Sequence, residues 1–189
     1  MTLEQFSALL SIGLFVLTGV LILGTVLYYV SPVVRKHIEE YSYLRFLKAI
    51  AGISLFSIIG ALIYQLEYLT PVCELCWWQR IFLFPISIIA LVAVWFKSRE
   101  AHITITILSV FGLFYALYHY YYHYQGLVLG NTLSLPCSSG GLLPACTDSP
   151  ILTYGFVTIP FMGILVFLSM LLLTFFAHKA LKRESMLNS

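Results

Sequence analysis

Two cysteines separated by two residues, Cys73-Glu-Leu-Cys76, lie at the start of a long apolar segment, and Arg80 follows four residues later. The thiolate is the reactive form of cysteine, and both the positive end of a helix and a nearby cation stabilise it. A disulfide that closes so small a ring is strained and tends to be reducible. We therefore predict a redox-active pair. A structural disulfide and half of a metal site are the alternatives.

Arg80 is spaced to act on this pair. If the helix begins near Cys76, Arg80 lies one turn further along the same face. Its guanidinium could then stabilise the Cys76 thiolate and also contact an oxygen of an electron acceptor. The alternative is that Arg80 only anchors the helix at the membrane surface, with its apolar stem buried and its charge in water.

Cys137 and Cys146 form a second candidate pair, in a segment rich in glycine and proline. Eight residues separate them, which is not the close spacing typical of zinc ligands, so we predict no bound metal. A loop of this composition lacks a packed core and is accessible to a partner protein. The two pairs together suggest an electron relay, and a structural staple of the loop is the alternative for the second pair.

Three further ionisable residues belong to apolar segments near the cysteines. An acid inside a membrane is costly and usually has a partner or a role, so Glu67 is predicted to pair with Arg80 or to relay protons. His119 and His123 are four residues apart and share one helical face. They could bind a metal, protonate an electron acceptor, or anchor the helix at the interface among the neighbouring tyrosines.

The composition is that of a membrane protein. Hydrophobic residues make up 60% of the 189 residues and charged residues 10%, against about 25% in soluble domains. The apolar blocks reach the roughly 20 residues that a membrane-spanning helix needs. We predict an all-α, polytopic membrane helix bundle, and an amphipathic interfacial helix within 33–48. The predicted spans are 6–30, 49–69, 78–96, 103–125 and 154–177.

The basic residues predict the orientation of the bundle. Nine of the ten lysines and arginines flank one side of the predicted spans, and only Arg80 belongs to the other side. The positive-inside rule places the nine in the cytoplasm, so the N-terminus and both cysteine pairs face outwards and the C-terminus faces inwards. Disulfides persist on the outer side. The net charge of +2 gives no argument for nucleic-acid binding.

The segment from Cys73 to Pro85, CELCWWQRIFLFP, resembles the disulfide bond formation protein B family, in particular its C-type branch. Further matching segments are Tyr118-His119-Tyr120, Pro136-Cys137 and Gly155-Phe-Val-Thr-Ile-Pro160-Phe. The resemblance covers roughly 45–178. It implies a four-helix redox domain there, preceded by an extra transmembrane helix and cytoplasmic connection in 1–44 and followed by a cytoplasmic tail in 179–189.

The resemblance also implies a function. Members of this family are membrane thiol:quinone oxidoreductases, here of the bacterial cytoplasmic (inner) membrane, that reoxidise a thioredoxin-fold dithiol oxidase on the exoplasmic side. It implies that Cys137 and Cys146 receive electrons from the partner, and that Cys73 and Cys76 pass them to ubiquinone or menaquinone. It further implies that the quinone is met by four residues: Cys76, Arg80, His119 and Glu67.

Two readings remain as alternatives to this function. The first is a membrane scaffold or transporter with two structural disulfides, which would resist mild reductants. The second is an electron carrier that runs in reverse and reduces exported disulfides, since the direction depends on reduction potentials.

Overall fold

The computed structural model describes residues 2–70, 72–127 and 151–187. Within these ranges the chain is helical: α1 (Leu3–Val30), α2 (Pro32–Glu39), α3 (Tyr43–Leu66), α4 (Glu74–Phe96), α5 (Ala101–Leu127) and α6 (Ile159–Leu187). All except α2 are long and apolar enough to cross a membrane. The predicted all-α, polytopic membrane bundle is therefore confirmed. Cys137 and Cys146 lie outside the described residues.

Helix ends are marked by local sequence. Thr2 caps α1 in a reciprocal arrangement with Gln5, and the Ser31 hydroxyl accepts a hydrogen bond at the start of α2, where Pro32 is the first helical residue. The helix predicted within 33–48 is shorter than that range, because α2 ends at Glu39 and α3 begins at Tyr43.

The predicted spans 78–96 and 154–177 begin at other residues in the structure, where the corresponding helices are α4 and α6. Helix α4 begins at Glu74 rather than at residue 78, with Cys73 as its N-cap, so the CxxC pair belongs to the first turn. Before α6, residues 151–158 form a tight turn closed by an antiparallel bridge between Thr153 and Val157. Gly155 adopts φ +78° in this turn, a conformation that glycine accepts without strain.

Helices α3 to α6 form a closed ring. Each helix packs against the next in chain order, and α3 also packs against α6, while α1 lies along the outside of α6. The central side chains are fully buried: Leu47, Ile50, Ile86, Ile105 and Met170. Lipid tails are as apolar as these residues, so close packing rather than water exclusion holds such helices together. The ring fixes the start of α4 against α5 and α3.

Candidate active site

The CxxC pair lies at the junction of α4 with α5. Cys73 is buried and Cys76 is partly buried, and their Sγ atoms are 3.4 Å apart, a hydrogen-bonding distance for two thiols. The structure has no disulfide between them, and both are free thiols. The first turn of α4 therefore presents two thiols with different surroundings.

His119 on α5 contacts Cys73. Its Nε2 lies 3.5 Å from Cys73 Sγ, and its Nδ1 lies 3.0 Å from Nε2 of Gln79. The amide nitrogen of Gln79 is a donor, so Nδ1 of His119 is the acceptor and the proton of the neutral ring lies on Nε2. His119 can then donate to the sulfur of Cys73, and Gln79 is the residue that sets this tautomer.

These contacts lower the pKa of Cys73. The hydrogen bond from the Cys76 thiol lowers the pKa of Cys73 well below the ordinary value of a thiol. Burial opposes this lowering of the pKa, the hydrogen bond from His119 adds to it, and so does the positive charge of His119 whenever its ring is protonated. The surroundings therefore favour Cys73 over Cys76 as the thiolate of the reduced pair.

His123 is placed differently from His119, one turn further along α5. It is completely buried, and neither of its ring nitrogens has a hydrogen-bond partner among the described residues. Its ring packs edge-on against that of His119, with the centroids 6.1 Å apart. Of the two histidines, His119 alone contacts the CxxC pair.

Arg80 is mostly buried and held on three sides. It donates to Oε1 of Gln65 and, at 3.2 Å, to the backbone oxygen of Ala61, and its guanidinium lies 5.3 Å from the centre of the Trp77 ring. The predicted ion pair with Glu67 is not found: in the described part of the chain Arg80 has no ion pair, and Glu67 is exposed at the C-cap of α3. Gln65 takes the place predicted for Glu67. The predicted role of Glu67 in acceptor binding stays a prediction.

A partly open pocket reaches Cys76 and Arg80. We call it the acceptor pocket. Its walls are mainly apolar side chains from α1, α3, α4 and α6, and its polar lining includes Tyr64, Gln65, Thr70 and Gln79. The hydroxyl of Thr70 is buried and has no hydrogen-bond partner among the described residues. Apolar walls with a few polar groups are typical of a site for an organic molecule.

Two further features belong to this site. Gln65 and Gln79 are polar residues of apolar helices, and such residues commonly form hydrogen bonds between membrane helices. Both form such bonds, and both also line the acceptor pocket. Three possible metal ligands lie within 4.8 Å of one another and could hold a metal ion: Sγ of Cys73, Sγ of Cys76 and a ring nitrogen of His119. The absence of a resident metal remains a prediction.

The fold and the site define a class of protein. A family model described as "Disulfide bond formation protein DsbB" matches residues 44–177. A dithiol at the end of a helix in a polytopic membrane bundle, with this match, identifies a membrane disulfide-forming oxidoreductase. The chain belongs to the disulfide bond formation protein B family.

Individual relatives agree with this assignment. The chain is 34% identical over 116 residues, 61% of its length, to the SPbeta prophage-derived disulfide bond formation protein B of Bacillus subtilis, covering 73% of that protein. It is 31% identical over 124 residues, 65% of its length, to disulfide bond formation protein C of the same organism, covering 85% of it. A probable disulfide formation protein of Coxiella burnetii is 31% identical over 62% of the chain and 76% of the relative. No solved structure matches the chain.

Proposed function

We propose that the protein is a thiol:quinone oxidoreductase that reoxidises a thioredoxin-fold dithiol oxidase outside the bacterial cytoplasmic membrane. The observation that carries the proposal is the division of the CxxC pair between two environments. Cys76 lines the acceptor pocket together with Arg80, whereas Cys73 lies outside its lining and against His119. The quinone is a substrate that takes up two electrons and two protons.

The acceptor pocket suits a quinone ring. The ring is flat and apolar with two carbonyl oxygens, so it needs apolar walls and a few donors. Arg80 is the strongest donor available, because a charge-assisted hydrogen bond is stronger than a neutral one. Two further groups of the same lining could serve the second oxygen or the ring edge: the amide of Gln79, and the hydroxyl of Thr70, which has no hydrogen-bond partner among the described residues.

The two sulfurs have different tasks in this proposal. Cys76 meets the quinone, since it is the sulfur that lines the pocket, and Cys73 is the thiolate that forms the new disulfide with Cys76. One S–S bond forms and the two sulfurs together lose two electrons. The acceptor takes up these electrons with one proton from the Cys76 thiol and one from solvent, and it leaves as the hydroquinone. Either ubiquinone or menaquinone satisfies this balance.

The proposed relay begins at Cys137 and Cys146, whose disulfide would oxidise the partner protein and then be regenerated by Cys73 and Cys76. The sequence supports this order, because the loop that carries them is rich in glycine and proline and follows α5, which also carries His119. The domain boundaries 45–178 for the redox bundle, and 1–44 and 179–189 for its flanks, are part of the same proposal.

The proposed orientation has the N-terminus and the cysteines outside. The helix order supports it, because the basic residues of the connection between α1 and α3, of the connection between α4 and α5, and of the end of α6 then share one side. Labelling of reduced cysteines in intact cells with a membrane-impermeant maleimide tests it. Labelling only after lysis would contradict the orientation.

The activity is tested with the purified full-length protein in detergent. A reduced thioredoxin-fold dithiol protein and a soluble quinone analogue are added, and loss of the quinone absorbance is followed. We expect turnover by the wild type and none by Cys76→Ala. If the wild type exchanges disulfides with the dithiol protein but consumes no quinone, the acceptor is wrong. If its disulfides resist the dithiol protein and mild reductants, the scaffold alternative holds.

A further inference from the structure

Helix α1 precedes the residues that match the family model, which begin at position 44, yet it contributes to the acceptor pocket. We propose that α1 is a fixed wall of this pocket and that Leu10 and Leu14 help to determine which quinones the protein accepts. The inference rests on the proposed function, because it takes the occupant of the pocket to be a quinone.

The buried face of α1 is specific rather than merely apolar. Successive buried residues in its first half are four, three and four positions apart, a spacing that places them on one face of the helix. They are Ser7, Ser11, Leu14 and Thr18. Side chains on the opposite face, such as Leu9 and Val16, are more than 60% exposed. Small and hydroxyl-bearing residues on the packed face let membrane helices approach closely. Helix α1 is therefore packed as part of the bundle.

Two hydrogen bonds fix α1 above and below the pocket. The hydroxyl of Tyr64 on α3 donates to Oγ of Ser7 at 3.0 Å, and the Phe6 ring packs edge-on against Tyr64 with the centroids 5.1 Å apart. About three turns further along, Oγ1 of Thr18 and Oγ of Ser169 on α6 are 3.0 Å apart in a buried contact. The stretch between these two points is held against both α3 and α6.

Leu10 and Leu14 lie between the two fixed points, and both line the pocket that reaches Cys76 and Arg80. Leu10 also closes against α3, since a Cβ placed on Gly60 would be 3.6 Å from its Cδ2 atom. A bundle of α3 to α6 alone would leave this side of the pocket to lipid, whose chains adapt to any ligand. Fixed side chains do not adapt, so the width of the pocket near the reactive sulfur depends on these two leucines.

A rigid apolar wall discriminates by shape. One added or missing methylene in an apolar pocket changes selectivity by about 10–200-fold. Leu10→Trp extends an indole towards the pocket, and we expect it to raise the KM for quinone about tenfold or more, the ratio for losing an apolar contact the size of one leucine. The increase should be larger for quinones with a second fused ring than for single-ring quinones.

Leu9→Trp is the matched control, because it puts the same bulky side chain on the neighbouring residue of α1, which is 65% exposed. Its KM for quinone should equal that of the wild type. The rate at which a small dithiol reduces the Cys73–Cys76 disulfide should be unchanged in both variants, which shows that the cysteine site is intact. An equal KM in Leu10→Trp and Leu9→Trp would overturn the inference.

A second measurement needs no variant. Wild-type protein is irradiated with a photoreactive azidoquinone, and the labelled peptides are mapped by mass spectrometry. We expect label in residues 7–18 of α1 as well as in α4, with both reduced by excess unmodified quinone. Label in α4 without label in α1 would contradict the proposal that α1 forms a wall of the acceptor pocket. If the wild type neither reduces nor is labelled by any quinone, the proposed function itself fails, and with it the occupant assumed here.

Discussion

Replacing His119 tests the most specific contact of the site. The Nε2–Sγ distance of 3.5 Å makes His119 the only side chain outside the CxxC pair that stabilises the Cys73 thiolate through a hydrogen bond in the described residues. A hydrogen bond to a charged group contributes about 1.5–3 kcal/mol, and 1.36 kcal/mol corresponds to one pH unit. His119→Ala should therefore raise the pKa of Cys73 by about 1–2 pH units.

The assay is the thiolate absorbance near 240 nm of the reduced protein, titrated with pH and compared with Cys73→Ala to isolate the Cys73 signal. The thiolate is present above the pKa of Cys73 and lost as the pH falls through it, so the loss should occur at higher pH in His119→Ala. The rate of quinone reduction should decline over the same pH range as the absorbance.

His123→Ala is the control for this experiment. It removes the same ring one turn away on α5, where no hydrogen bond to Cys73 exists. We expect a smaller change in the pKa of Cys73 than in His119→Ala. His119 does not stabilise the Cys73 thiolate if His119→Ala titrates like the wild type, or if His123→Ala has the larger effect.

Three further predictions concern Arg80, the packing around Gln79 and the second cysteine pair. Arg80→Ala should raise the KM for quinone about tenfold or more. The KM of Arg80→Lys should lie between those of the wild type and Arg80→Ala, since the charge remains but the fork of donors is lost. Identical kinetics in the wild type and both variants would make Arg80 a simple anchor. Gly163→Ala places a Cβ about 2.6 Å from Oε1 of Gln79, so thermal unfolding should show a loss of about 1–3 kcal/mol and the Cys73 pKa should rise. Gly52→Ala, with open space around it, should neither destabilise the protein nor change the Cys73 pKa. Cys146→Ala should accumulate a mixed disulfide with the partner protein on a non-reducing gel, and its absence would count against the relay.

The sequence predicted the bundle and the CxxC pair with Arg80 because each depends on short-range information. The apolar blocks have the length of a bilayer, and a spacing of four residues on one helix places two side chains on the same face whatever packs around them. The same information placed His119 and His123 together. It did not decide which of them contacts Cys73, because that depends on how far α5 is shifted along α4.

The partner of Arg80 could not be predicted from charge and spacing. Gln65 and Glu67 are two residues apart, about 200° around α3, so only one of them can face α4. Charge favoured Glu67, but the packing of α3 on α4 turns Gln65 towards Arg80. The role of α1 was also missed, because its sequence is apolar on every side. The signal was the spacing of Ser7, Ser11 and Thr18, which marks the packed face.

A single-turnover experiment asks whether the CxxC pair passes its electrons directly to quinone. The full-length protein is reduced, freed of reductant and mixed anaerobically with a soluble quinone analogue, while quinone absorbance and the free thiols of all four cysteines are measured on the same samples. We expect one quinone to disappear for each disulfide formed, whichever cysteine pair holds it, and we expect Cys76→Ala to consume none. Thiols that stay reduced while quinone persists, or quinone loss that continues in Cys76→Ala, would contradict this direct transfer.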